Sequence, residues 1–213
     1  MRICVLDTET TGLPSGRYAN ELARIVEVGA VVFDTTTNVI VAEFESLCNP
    51  GSEHFEESWA SDALVVNRID RDWIRRAPSD RDVGLELRRW ILWQKPDCLT
   101  AYNNDFDFHA LLLGSRVWLA PLLDRIPKGP CLMEAYKTLV GLGTYEPGGR
   151  LANAAQRFNV PAQGTAHGAL ADARTAALLI PHVWPADYVP PVFTEPMILT
   201  REQARKGYCN DRP

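Results

Sequence analysis

Asp7 and Glu9 stand two residues apart at the end of an apolar run, Ile3 to Leu6. On a strand they point to the same side of the sheet, about 6.5 Å apart at the usual strand rise. They extend the face of Ile3 and Val5, and like charges so close repel unless a cation lies between them. The plainer alternative is a frayed strand end with two solvated acids. Asp172 falls among Ala169, Ala173, Ala176, Ala177 and Ile180, the stripe of a buried helix face. A carboxylate there needs a partner or a metal, the alternatives being a helix-dipole contact or a salt bridge. Asp107 repeats the pattern with Ala110, Leu111 and Gly114, while its neighbour Asp105 points elsewhere and fits an N-cap. Four such carboxylates, if they converge, bind hard divalent cations such as Mg²⁺ or Mn²⁺ through oxygen. Two ions held in that way serve in-line displacement at a phosphodiester. His167, between Gly164 and Gly168, fits a loop before the Asp172 helix and could act as general base toward a water. The alternative is an exposed loop histidine, the role assigned to His54, His109 and His182.

The elements that must position these groups follow from periodicity. Runs at 2–7, 25–33 and 39–47 are apolar or alternating and predict strands, the second and third joined as an antiparallel hairpin across Asp34–Asn38. Val83, Leu87, Trp90 and Ile91 predict a helix over 79–95 with Ser79 or Asp80 as its cap. Residues 98–102 predict a short buried strand, followed by helices at 106–116, about 132–142 and 150–158. A last helix runs from 168 to about 180 and stops at Pro181. Strands first, then helices alternating with strands, give an α/β fold on a mixed sheet.

Composition bounds the function. The 213 residues are 46% hydrophobic and 23% charged, which excludes a mostly disordered chain. No apolar run approaches the roughly 20 residues of a membrane helix, so no membrane partner is expected. An acid at position 7 is incompatible with a secretory signal. Five scattered cysteines with no C-x-x-C pair read as reduced residues, and the expected location is cytoplasmic. No phosphate-cradling G-x-x-x-x-G-K-[ST] loop and no Ser/His/Asp arrangement appears. The net charge of −5 seems to argue against nucleic acid, but residues 1–100 hold 11 basic and 17 acidic side chains and 101–213 hold 11 and 10. The acidity lies partly in the candidate metal ligands themselves, and bound divalent cations offset it.

Taken together, three segments resemble the DnaQ-like, or DEDDh, 3′→5′ exonucleases. VLDTETTGL is similar to the first motif, with Asp7 and Glu9. AYNNDFDFHAL is similar to the second, selecting Asp107 over Asp105. HGALADA is similar to the third, with His167 and Asp172 in His-x4-Asp spacing. RIVEVGAVVFD and LANAAQRFNVP fit secondary landmarks, so the likeness spans roughly residues 1–181. It is greatest to exodeoxyribonuclease X and the polymerase-proofreading exonucleases, with Tyr102 and Asn67 at positions where many members carry His.

The resemblance implies a ribonuclease H-like five-stranded mixed sheet, three antiparallel N-terminal strands and then parallel ones, flanked by helices. It implies an exonuclease domain over 1–183 of a bacterial or phage-type protein, while Pro185, Pro190, Pro191 and Pro196 mark residues 184–213 as an extended Pro-rich tail outside the likeness. Asp7, Glu9, Asp107 and Asp172 would hold two Mg²⁺ or Mn²⁺ ions, with His167 as general base. Thr10, Thr11, Gly12, Leu13 and Asn103 would bind substrate, the first four at the terminal nucleotide. The product would be a nucleoside 5′-monophosphate released from DNA, from single-stranded or frayed ends. Arg116, Lys128, Lys137, Arg150 and Arg174 are candidate phosphate contacts. Alternatives are an RNA 3′→5′ exonuclease of the ribonuclease T or oligoribonuclease type, a proofreading or trimming subunit, and a non-catalytic nucleic-acid-binding module on the same fold. Expected partners are nucleic acid, DNA ahead of RNA, and a second copy or a polymerase or other nucleic-acid enzyme. Trp59, Trp73, Trp90, Trp93 and Trp118 are candidates for such an interface.

Overall fold

A computed structural model describes residues 1–13, 20–113, 120–123, 125–143, 146–164 and 167–191. The candidate contacts Arg116 and Trp118 and the tail from 192 onward lie outside the described residues. Strands β1 (Arg2–Thr10), β2 (Ile25–Asp34) and β3 (Val39–Leu47) form the antiparallel meander, and β4 (Cys98–Ala101) lies parallel to β1. The sheet order is β3-β2-β1-β4.

The sheet therefore has four strands among the described residues, not the five expected. The fifth position is reduced to one parallel bridge between Leu99 and Lys128. There Leu99 donates to Pro127 O (2.9 Å) and Gly129 donates back to Leu99 O (2.7 Å). Pro127 and Pro130 flank the bridge, and a residue without an N–H cannot extend a ladder.

Helices α1 (Ser52–Phe55), α2 (Ser61–Asn67), α3 (Arg71–Arg76) and α4 (Asp80–Gln94) fill the connection from β3 to β4. Ser79 caps α4, its side chain accepting from the Asp82 N–H, as the sequence predicts. After β4 come α5 (Asn104–Leu113), α6 (Ala120–Leu123), α7 (Leu132–Val140), α8 (Leu151–Arg157) and α9 (Ala169–Val183). Pro181 does not stop α9. It sits in the last turn, where the helix ends two residues later and Trp184 N closes it on Ile180 O at 3.0 Å. So near the terminus a missing N–H interrupts little.

The sheet carries a core on each face. Even-numbered Cys4 and Leu6 pack with α4 and α5 through Val83, Leu87, Ile91, Phe108 and Leu111. Odd-numbered Ile3 and Val5 pack with α7 and α9 through Leu132, Ala173, Ala176 and Ile180. The stripe of α9 read from the sequence is buried as expected. Trp184 and Tyr188 pack against this second core, so residues 184–188 lie on the body of the domain. Among the described residues no helix is long and apolar enough to cross a membrane. The four described cysteines are free thiols.

Candidate active site

β1 continues past the acids, pairing Asp7 with Gly29 and Glu9 with Glu27. This removes the frayed-end alternative: both carboxylates are fixed by a ladder, on the face that α9 covers. Glu9 is only 8% exposed and Asp107 only 3%, whereas Asp105 is exposed. Of these two aspartates Asp107 is the buried one, as its helix face predicts.

α5 packs on the opposite face of the sheet, and Asp107 meets β1 beyond the end of β4, whose pairing stops at Ala101 opposite Leu6. Thr8 makes the connection. Its backbone N–H and its hydroxyl both donate to Asp107 Oδ1, each at 2.9 Å. The start of α5 is fixed by Asn103 O, which accepts from Phe106 N and Asp107 N at 3.0 and 3.1 Å. Asn104 is buried beside it, accepting from Ala101 N at 2.7 Å and donating to Gly129 O at 3.0 Å.

Asp172 arrives from the other face on the first turn of α9. Two β2 residues seat that turn. Gly29 has no Cβ where one would lie 2.3 Å from Ala169 C and Leu170 N, so only glycine permits this approach. Glu27 Oε2 accepts from Ala169 N at 3.3 Å. His167, with a left-handed φ of 63°, turns back so that its N–H donates to Asp172 Oδ2 at 3.3 Å. Donor atoms of Glu9, His167 and Asp172 lie within 4.8 Å of one another.

The electrostatics record the convergence. Asp7 is pushed well above the usual carboxylate range by burial, then by Asp107, Glu9, Asp172 and Glu27 in that order. Glu9 is raised from 4.5 to about 8 by burial and by Asp172, Glu27 and Asp107. Burial also raises Asp107, against the two Thr8 hydrogen bonds, and Asp172, against its contacts with His167. Burial, Glu45 and Asp172 raise Glu27, against the Ala169 N–H. Sequence reasoning missed Thr8, Glu27 and Gly29. Glu27 was legible as an acid inside an otherwise apolar strand.

The remaining predicted residues divide. Thr10 and Thr11 are buried and shape the turn after β1: Thr10 Oγ1 donates to Gly12 O (2.6 Å), and Thr11 exchanges bonds with Arg24 (2.9 and 3.0 Å). Asn67 donates to Thr10 O at 3.0 Å, and Leu13 is half exposed at the end of the turn. Asn103 lines a cavity with His167 and Asp172. Of the candidate phosphate contacts, Arg174 is paired with Glu43, Lys137 is buried against Glu134, and Lys128 lies over the Phe108 ring. Arg150 is exposed on the cavity rim. Trp73 and Trp93 are well exposed, while Trp59 and Trp90 pack against the cores.

Residues 4–180 match the exonuclease family RNase_T. The chain belongs to this exonuclease family. No curated protein matches the sequence. The fold is similar to the nuclease domain of 3'hExo, a DEDDh family member bound to rAMP: TM-score 0.67, 16% identity, 84% of this chain and 92% of that one. It is also similar to exonuclease X in complex with 5′ overhanging duplex DNA: TM-score 0.56, 22% identity, 84% and 89%. A full-length 3′-exonuclease gives TM-score 0.64 at 16% identity over 84% of this chain, which spans 60% of that protein's length. The mixed α/β sheet and the ribonuclease H-like arrangement expected from the motifs are those of these structures.

Proposed function

We propose that the chain is a metal-dependent 3′→5′ exonuclease that releases nucleoside 5′-monophosphates from DNA, taking single-stranded or frayed ends. The observation that carries this is the convergence of Asp7, Glu9, Asp107 and Asp172 from both faces of the sheet, with Glu9 raised to about 8 by burial and then by its acidic neighbours. The four carboxylates offer oxygen ligands alone, and burial with mutual repulsion raises Asp7 and Glu9, which fits Mg²⁺ or Mn²⁺. Those four carboxylates would hold two such ions, which supply activation of the attacking water and stabilisation of the leaving 3′-oxygen.

The chain's own residues do the rest. Thr8 holds Asp107 by one oxygen, Oδ1. His167 accepts the proton of the attacking water as its general base, while its backbone N–H on Asp172 keeps the loop in reach. The turn from Thr10 to Leu13, braced by Asn67 and Arg24, receives the terminal nucleoside, with Leu13 against the base.

An end-labelled oligonucleotide assay with Mg²⁺ tests the reading. DNA labelled at its 5′ end should shorten one nucleotide at a time, yielding 5′-monophosphates, and Asp107→Ala and His167→Ala should each abolish most of this. Full Mg²⁺-dependent digestion by either variant overturns the assignment. Parallel RNA and duplex substrates decide sugar and strandedness. Equal or faster digestion of RNA moves the chain to the ribonuclease branch.

A further inference from the structure

Glu9, His167 and Asp172 bring two carboxylate oxygens and an imidazole nitrogen within 4.8 Å of one another, a grouping that no other His, Cys, Asp or Glu among the described residues shares. Ligand atoms around one ion, at bonds of about 2.0–2.2 Å, stand at most about 4.4 Å apart. The three therefore close onto a single ion by a shift of about half an ångström or less. Glu9 is buried, and among the described residues neither an N–H nor a hydroxyl donates to its carboxylate. A buried carboxylate with no donor calls for a cation or a proton. We propose that Glu9, His167 and Asp172 form an inhibitory Zn²⁺ site, in which the general base becomes a metal ligand. The inhibitory role rests on the exonuclease reading and adds a regulation to it.

The chemistry of the donors separates zinc from magnesium. An imidazole nitrogen suits Zn²⁺, whereas Mg²⁺ takes oxygen ligands and dehydrates reluctantly. Three protein ligands with a fourth position left to water is a coordination that zinc accepts. His167 is exposed and stands beside Gly168, so its ring closes on an ion without disturbing a packed core. The trio shares Glu9 and Asp172 with the four carboxylates assigned to Mg²⁺ or Mn²⁺, so the two metal states exclude each other. Zinc would withdraw two of those four ligands. It would also occupy the imidazole lone pair that otherwise accepts the proton of the attacking water. Asp107 stays outside the trio, held by Thr8, and its loss should fall on the magnesium state.

Calorimetric titration of Zn²⁺ and of Mg²⁺ into the native chain, His167→Ala, His109→Ala and Asp107→Asn tests the site without reference to turnover. His167→Ala should weaken Zn²⁺ by about tenfold or more, since losing even an outer-shell partner of a metal ligand costs that much, and should leave Mg²⁺ affinity unchanged. His109 is exposed on α5, and His109→Ala should bind Zn²⁺ as the native chain does. Asp107→Asn should weaken Mg²⁺ and keep most of the Zn²⁺ affinity. In the oligonucleotide assay with Mg²⁺, stoichiometric Zn²⁺ should suppress digestion, and EDTA followed by fresh Mg²⁺ should restore it. Equal Zn²⁺ affinity in the native chain and His167→Ala overturns the site, as does an equal loss in His167→Ala and Asp107→Asn. Digestion undiminished by bound zinc overturns the inhibitory role. Each of these leaves the nuclease reading standing. A native chain that binds Zn²⁺ through His167 but digests no oligonucleotide with Mg²⁺ or Mn²⁺ supports the metal site and refutes the nuclease reading, and the inhibitory role with it.

Discussion

Replacing Glu9 by Gln should stabilise the metal-free protein, and increasingly so as pH rises. A carboxyl whose folded pKa is about 8 against an unfolded value near 4.5 binds its proton more tightly in the native state. Between those values the native state carries the extra proton, so stability falls as pH rises, and the loss is complete above the folded pKa. The linkage integral gives a cost of about 1 kcal/mol at pH 5 and about 4 kcal/mol at pH 8. Glu9→Gln removes that cost. It also removes one of the charges that raise Asp7, which acts in the same direction. A buried glutamine has its own pH-independent packing cost, so the quantity to read is the slope, not the offset. Urea unfolding in EDTA at pH 5, 6, 7 and 8 should show the variant gaining about 3 kcal/mol on the native chain across that range. In a domain of this size each kcal/mol is worth about 2–4 °C in Tm. Parallel stability-versus-pH curves for the two proteins would refute the convergence argument.

The other predictions share that apparatus. Mg²⁺ or Mn²⁺ should raise the Tm of the native chain at pH 8 by several degrees and by less at pH 5, where protons compete for the carboxylates; Asp107→Asn should lose most of this gain, and a gain equal to the native one would remove Asp107 from the ligand set. His167→Ala should cost about 10²–10⁴-fold in kcat, the range for a general base, while keeping the Mg²⁺-induced Tm shift; a vanished shift would make His167 a ligand instead. Thr8→Val keeps the backbone N–H but loses the hydroxyl bond to Asp107, so Mn²⁺ affinity by calorimetry should fall roughly tenfold and recover in Thr8→Ser, as expected for one charge-assisted hydrogen bond. Gly29→Ala places a methyl group 2.3 Å from the α9 backbone and should cost about 1–3 kcal/mol or more of stability, read by urea unfolding; a neutral substitution would show that α9 is not seated there.

Much of this was legible before any coordinates. The β1 acids share the side of Ile3 and Val5, and Asp172 interrupts a stripe of alanines, so periodicity alone placed them on buried faces. Asp107 was separable from Asp105 for the same reason. What periodicity could not show was contact between distant segments. The Thr8 hydroxyl is 99 positions from Asp107, and the Glu27 carboxylate 142 from Ala169, and nothing local in either residue announces its partner. The fifth strand came from the family likeness, which takes no account of Pro127 and Pro130, and the stop at Pro181 came from a local proline rule that ignores position within the helix. Prolines beside Lys128 left one bridge where a strand was expected, while a proline in a final helical turn had almost no further ladder to break.

The arrangement explains why so repulsive a cluster needs so rigid a frame. Asp172 and the β1 acids share one face of the sheet, but Asp107 comes from the other, so a small slide of either helix would let the charges separate and relax. Two features oppose such a slide: Thr8 pins Asp107 to β1 with two bonds to one oxygen, and Gly29 lets α9 descend onto β2, where Glu27 holds its first N–H. The strain is thereby confined to the ionisation of the carboxylates, which a proton or a divalent cation can relieve, instead of being dissipated in the packing. A cation bound there would be coupled to folding through the same few oxygens. A chain with net charge −5 can accordingly meet a polyanion once that relief comes from metal, and its association with nucleic acid should depend on divalent cation before it depends on surface arginines.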